Sequence, residues 1–202
     1  MGNKARTLDE QIALLQSRGM EISDIEKAKE VLLDVGYYRL GFYWFPFEKS
    51  CPTHQRRNHE FNTGANFNDA VKLYYFDYAL RNILQKYITR IEVNFRTYLV
   101  YTISNIFENY LDVVRCVRNT CAHGGLLYDI ALYPLIRRGP ANVTGNERKR
   151  LYGALKVVGY LLKQVSENRA ADYEKEVEEL INKYATTPAI KSVLHQSSGF
   201  PI

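Results

Sequence analysis

Between Asn66 and Tyr110 the chain contains neither glycine nor proline. Through this stretch apolar residues recur at helical spacing, among them Val71, Tyr74, Leu80, Leu84, Tyr87, Ile88, Ile91, Phe95 and Leu99. The pattern predicts one very long helix or two in tandem. Asp77 and Arg81, like Glu92 and Arg96, are opposite charges four positions apart, an arrangement that helix surfaces favour. A helix this long must bury its apolar stripe against other elements, and the flanking sequence offers further helices.

Residues 7–35 read as two short helices. Thr7 has Glu10 three positions on, the spacing of a capping box. Ser23 is the expected start of the second helix and Gly36 its end. A dense aromatic stretch follows, from Tyr37 to Phe47. It can pack between helices or stack unpaired bases, and inter-helix packing is the more common use. Residues 49–65 are polar and read as a loop. A helix is expected over 111–123, ended by Gly124-Gly125. A looped stretch with Pro134, Arg137, Arg138 and Pro140 comes next, then helices over 147–167 and 171–184. Residues 185–202 look irregular, but Val193-Leu194 and Phe200-Pro201-Ile202 are too apolar for a purely solvated end and should dock.

The fold class is therefore all-α. We divide the chain into an N-terminal helical and aromatic extension (1–65), a helical bundle (66–184) and a C-terminal tail (185–202). A length of 202 residues is enough for one domain with a real core plus a small appendage.

Three cysteines, Cys51, Cys116 and Cys121, are too few and too scattered for a disulfide framework or a zinc site. No apolar run approaches the ~20 residues that span a bilayer. The N-terminus is followed by charged residues rather than an apolar signal core. A cytoplasmic protein with no membrane association is the expectation. The net charge of +5 permits an anionic partner without proving one.

The chemistry points to the helix before the two glycines. On a helical wheel Leu111, Val114, Val117 and Cys121 share an apolar arc. Arg115, Asn119 and His123 share another, and Arg118 stands at the border. His123 falls in the last turn, where its ring should be accessible. Imidazole can take a proton from a ribose 2′-hydroxyl or give one to a leaving 5′-oxygen. Guanidinium can hold a phosphate and the charge that develops on it. Asparagine can orient the imidazole or bind a second oxygen. This chemistry needs no metal or cofactor, and no tight acidic cluster that would hold a metal stands out in the sequence. A histidine at a helix C-terminus is also commonly just a favourable terminal charge, and from spacing alone both readings stand.

Three segments resemble one family. They are Gln11–Met20 with Gly36-Tyr37-Tyr38-Arg39-Leu40 and Tyr43-Trp44-Phe45-Pro46-Phe47; Leu73-Tyr74-Tyr75-Phe76-Asp77 with Leu80-Arg81 and Arg90–Thr97; and Arg118-Asn119-Thr120-Cys121-Ala122-His123. Together they resemble the Abi-like (abortive-infection) family, AbiD and AbiF type, of the HEPN superfamily. The last segment is similar to its Arg-Asn-x-Cys-Ala-His motif. The family usually has a longer segment before that helix, whereas here Asn109-Tyr110 runs almost directly into Leu111. This predicts a shortened or missing loop at that join.

The resemblance implies a HEPN helical bundle and a metal-independent endoribonuclease of a toxin-like phage-defence system. It implies a site at a homodimer interface, with Arg118, Asn119 and His123 as catalytic residues. RNA is the implied substrate; a regulatory small RNA or an antitoxin are further partners to consider. Arg115, Arg137, Arg138, Glu92 and Arg96 are secondary RNA-binding candidates. The alternative is a non-catalytic RNA-binding or small-RNA-regulated defence protein.

Overall fold

The Gly- and Pro-free stretch folds as two tandem helices, α4 (Phe67–Tyr98) and the first part of α5 (Asn105–Ala122). These come from a computed structural model that describes residues 6–52, 57–98 and 105–202. Leu99 lies outside the described residues. α5 runs through the Tyr110–Leu111 join unbroken and starts at Asn105, earlier than expected. The fold is all-α, and among the described residues the only β features are two isolated bridges, Glu21 with Asn66 and Glu48 with Phe61. No helix among them is long and apolar enough to cross a membrane.

The chain divides into two compact units, Met1–Tyr75 and Phe76–Ile202, with the division inside α4. The first unit holds α1 (Leu8–Ser17), α2 (Ile25–Val35) and α3 (Tyr37–Trp44). The predicted capping box is present: Glu10 N–H donates to Thr7 Oγ1 at 3.2 Å, and Thr7 N–H donates to Glu10 Oε2 at 2.7 Å. The cap of α2 is Asp24 rather than Ser23, its carboxylate accepting from Lys27 N–H at 3.0 Å. A carboxylate at that position also complements the positive end of the helix, which a serine does not. Gly36 takes φ +88°, a left-handed value that separates α2 from α3 within one residue. The aromatic stretch is helical, and one face is core: Leu40, Tyr43, Trp44 and Phe47 are buried while Tyr38 and Phe42 are exposed. The base of the 49–65 loop is tied down, Lys49 N–H donating to the Glu60 carbonyl and Asn62 N–H to the Phe47 carbonyl.

The second unit comprises the rest of α4 with α5, α6 (Leu151–Val165), α7 (Glu167–Tyr184) and α8 (Pro188–Val193). α6 lies at its centre, with Leu151, Ala154, Leu155, Val157, Val158, Leu161 and Leu162 all buried. α4 meets α5 through Phe95 and Phe107, and α7 through Tyr87 and Tyr173. Tyr110 of α5 meets Tyr160 of α6 edge-on, with ring centroids 5.8 Å apart. Residues 145–149 form a 3₁₀ turn, so α6 begins later than its sequence pattern suggests. α7 begins earlier, because Ser166 caps it. The C-terminal residues are ordered rather than irregular. Thr187 caps α8, a wide turn follows over 194–198, and Val193, Leu194 and Phe200 are buried, whereas Pro201 and Ile202, expected to dock with them, are exposed. Phe200 packs against Phe76 and Tyr152.

Candidate functional site

α5 buries Tyr110, Val113, Val114, Val117 and Cys121 and exposes Arg115, Arg118, Asn119 and His123. The two arcs read from the wheel are thus the two faces of the helix. His123 is its C-cap. Gly124 N–H donates to the Cys121 carbonyl at 3.3 Å, and Gly125 N–H reaches back to the Thr120 carbonyl at 2.8 Å. These two bonds, with Gly124 at φ +64°, form a Schellman turn that satisfies the last carbonyls of the helix. The second glycine is required for space. A methyl on Gly125 would stand 2.9 Å from the Thr120 methyl.

Arg118 is brought to Glu92 of α4, its Nε donating to Glu92 Oε1 at 3.2 Å. Both side chains are roughly half exposed. The contact uses the Nε of the guanidinium. Among the described residues no hydrogen bond or ion pair engages the His123 ring or the Asn119 amide. Arg115 is paired with Asp112, one turn back, at 2.8 Å. Arg96 lies in α4, but its side chain falls outside the described ones. Arg137 and Arg138 are exposed. The backbone of Arg137 lies towards the other end of α5 from His123: its N–H donates to Asn109 Oδ1 at 2.7 Å, and Asn109 precedes His123 by fourteen positions, about 21 Å along the helix.

The segment after the motif is not a free loop. Leu127, Tyr128, Ile130, Leu132, Ile136 and Val143 are buried. Buried side chains hold its backbone. Asn109 Nδ2 donates to the Leu135 carbonyl at 3.1 Å, and Tyr110 Oη accepts from Ala141 N–H at 3.2 Å. Asp77 accepts from Leu127 N–H at 2.8 Å and from Tyr128 N–H at 2.7 Å. Arg81 donates to the Gly125 carbonyl at 2.9 Å. Spacing alone makes Asp77 and Arg81 a surface pair, but Asp77 is fully buried and its guanidinium partner lies 3.8 Å away. The available signal was the apolar run Leu126-Leu127-Tyr128 directly after two glycines, which marks a segment turning back into the core.

Cys121 lies under the exposed motif face, on the same buried side as Val117. Burial pushes its thiol from an ordinary 9.0 up to about 11, with Arg81 opposing the rise and Asp77 adding to it. The folded state thus keeps a proton that the unfolded state releases, and this contribution to stability is lost as pH rises from about 9 towards 11. At pH 8 iodoacetamide should modify the half-buried Cys51 and Cys116 in the native protein. Cys121 should react only when denaturant unfolds the chain. Mass spectrometry of the labelled peptides checks this, and rapid native labelling of Cys121 would contradict the burial.

The family model described as Abi-like protein matches residues 30–109. That segment runs from within α2 through α3 and α4 to the start of α5, and stops short of the Arg118–His123 motif. No curated protein and no solved structure matches the chain. Residues 30–109 of this chain are thus similar to the Abi-like family.

Proposed function

We propose that this chain is a metal-independent endoribonuclease acting in abortive infection, a phage-defence response. The observation that carries the reading is the end of α5: an exposed His123 ring without a protein partner among the described residues, on the same helix as a half-exposed Arg118. The Abi-like match of residues 30–109 supports the biological setting.

The chemistry follows from these groups. An imidazole accepts the proton of a ribose 2′-hydroxyl, and that oxygen attacks the adjacent phosphorus. The O2′–P bond forms and the P–O5′ bond breaks, leaving a 2′,3′-cyclic phosphate. A protonated imidazole returns a proton to the departing 5′-oxygen, giving a 5′-hydroxyl. Arg118 holds the phosphate and the charge that gathers on it. Asn119 binds a second oxygen or orients the ring.

Within one copy Arg118 and His123 are about 140° apart round the helix, which makes convergence on one phosphate difficult. A symmetric pair meeting along α5 would place two arginines and two histidines in one cleft, one histidine as base and the other as acid. A homodimer is therefore part of the proposal, and two-fold pairs are the commonest closed assembly.

The deciding experiment incubates purified protein with RNA in EDTA and analyses the product ends. The expected result is cleavage with 2′,3′-cyclic phosphate and 5′-hydroxyl termini, with DNA of the same sequence intact because it lacks the nucleophile. Cleavage that needs magnesium or attacks DNA equally would sink the reading. RNA that is bound but left whole would point to a non-catalytic RNA-binding role instead.

A further inference from the structure

We propose that Asp77 and Arg81 are positioning residues for His123: they clamp the turn that ends the motif helix and so fix where the imidazole stands. The catalytic part of this inference rests on reading His123 as the proton carrier.

The problem the clamp solves is local. His123 is the last residue before two glycines, the most permissive backbone in the chain, and the Schellman bonds alone restrain it from one side. Beyond the glycines the chain is gripped at three points by one turn of α4. The Gly125 carbonyl accepts from Arg81 Nη2, and the Leu127 and Tyr128 N–H groups both donate to Asp77. The grip begins two residues after His123. From the other side, Glu92 of the same α4 engages Arg118. One helix thus holds both the arginine of the motif and the turn that carries its histidine.

A merely space-filling role does not explain the choice of residues. Asp77 is completely buried, and burying a carboxylate carries a large desolvation cost that an apolar side chain would avoid. Here the charge is met by two backbone N–H groups, an arrangement that only a turn held at one fixed place provides. Arg81 is likewise mostly buried, with its Nε enclosed and its Nη2 committed to the Gly125 carbonyl.

The test uses the full-length protein with the near-isosteric Asp77→Asn and, separately, the charge-retaining Arg81→Lys. If Asp77→Asn fails to fold, Arg81→Lys carries the test, since it retains the charge but shortens the reach to Gly125. Histidine ring signals are followed by NMR and assigned with His123→Ala. His195 is the internal control, because its Nδ1 has its own hydrogen bond to the Phe200 carbonyl at 2.9 Å. The expected result is a shifted or broadened His123 ring with His195 unmoved. RNA cleavage should fall ~10–100-fold, the scale of a misplaced catalytic group. Affinity for a non-cleavable 2′-O-methyl RNA should stay within about two-fold, since the phosphate contact is Arg118's. The proposal is overturned if the His123 ring does not move, if both rings are perturbed alike, or if RNA affinity falls in step with rate. Should the unaltered protein cleave no RNA, the nuclease reading fails, and the ring signals still decide whether the clamp holds His123.

Discussion

Replacing His123 with alanine is expected to lower RNA cleavage by ~10²–10⁴-fold, the usual loss when a general acid–base group is removed. The change should leave stability within about 0.5 kcal/mol, because the side chain is exposed and makes no bond among the described residues. Arg118→Ala should cause a loss of similar size through the phosphate clamp. Arg118→Lys should recover only part of it, since an ammonium keeps the charge but not the planar fork. Initial-rate measurements on a short labelled RNA, paired with thermal melts, separate lost chemistry from lost fold. Full activity in both alanine variants would mean that this end of α5 is not the site.

A large effect on stability is expected far from the motif, at Gly153 in the first turn of α6. A methyl there would lie 2.8 Å from the Glu147 carbonyl carbon, closer still to its oxygen, and 2.9 Å from Val143 Cγ1. Two of these atoms are backbone of the 3₁₀ turn that feeds α6, so the strain cannot be relieved by a side chain swinging away. Gly153→Ala should destabilise the protein by about 3 kcal/mol, the upper end of ordinary overpacking. For a chain of this size that corresponds to a melting temperature lower by ~6–12 °C. Gly159, six residues on in the same helix, is the control. A methyl on Gly159 would meet the Tyr173 ring at 3.6 Å, an ordinary contact. Gly159→Ala should therefore melt at or above the parent, because alanine favours a helix over glycine by up to ~1 kcal/mol. Equal melting of the two variants would show that the close approach at Gly153 is not real.

What local spacing encodes, the sequence displayed directly. The all-α class follows from a 3.6-residue apolar period uninterrupted by glycine or proline between Asn66 and Tyr110. The Thr7 and Glu10 capping box and the stop at Gly124-Gly125 involve partners within five positions of each other. So does the division of α5 into a buried arc through Val117 and Cys121 and an exposed arc through Asn119 and His123. The candidate catalytic residues were legible for the same reason: they lie together on one short stretch of helix. Their partners were not. Glu92 reaches Arg118 across 26 positions, and Asp77 reaches Leu127 across 50. Read locally, Asp77 and Arg81 look like any solvated pair four apart, because helical spacing reports which residues share a face but not what that face meets. Burial of Asp77 depends on α4 and the segment after α5 arriving side by side. The same is true of the stretch after Gly125, which reads as an open basic loop and is instead held by Asp77, Asn109 and Tyr110. Those bonds exist only once separate elements have packed, so they were set by the tertiary structure, where a buried polar group must find its partner at whatever distance in sequence the fold supplies one.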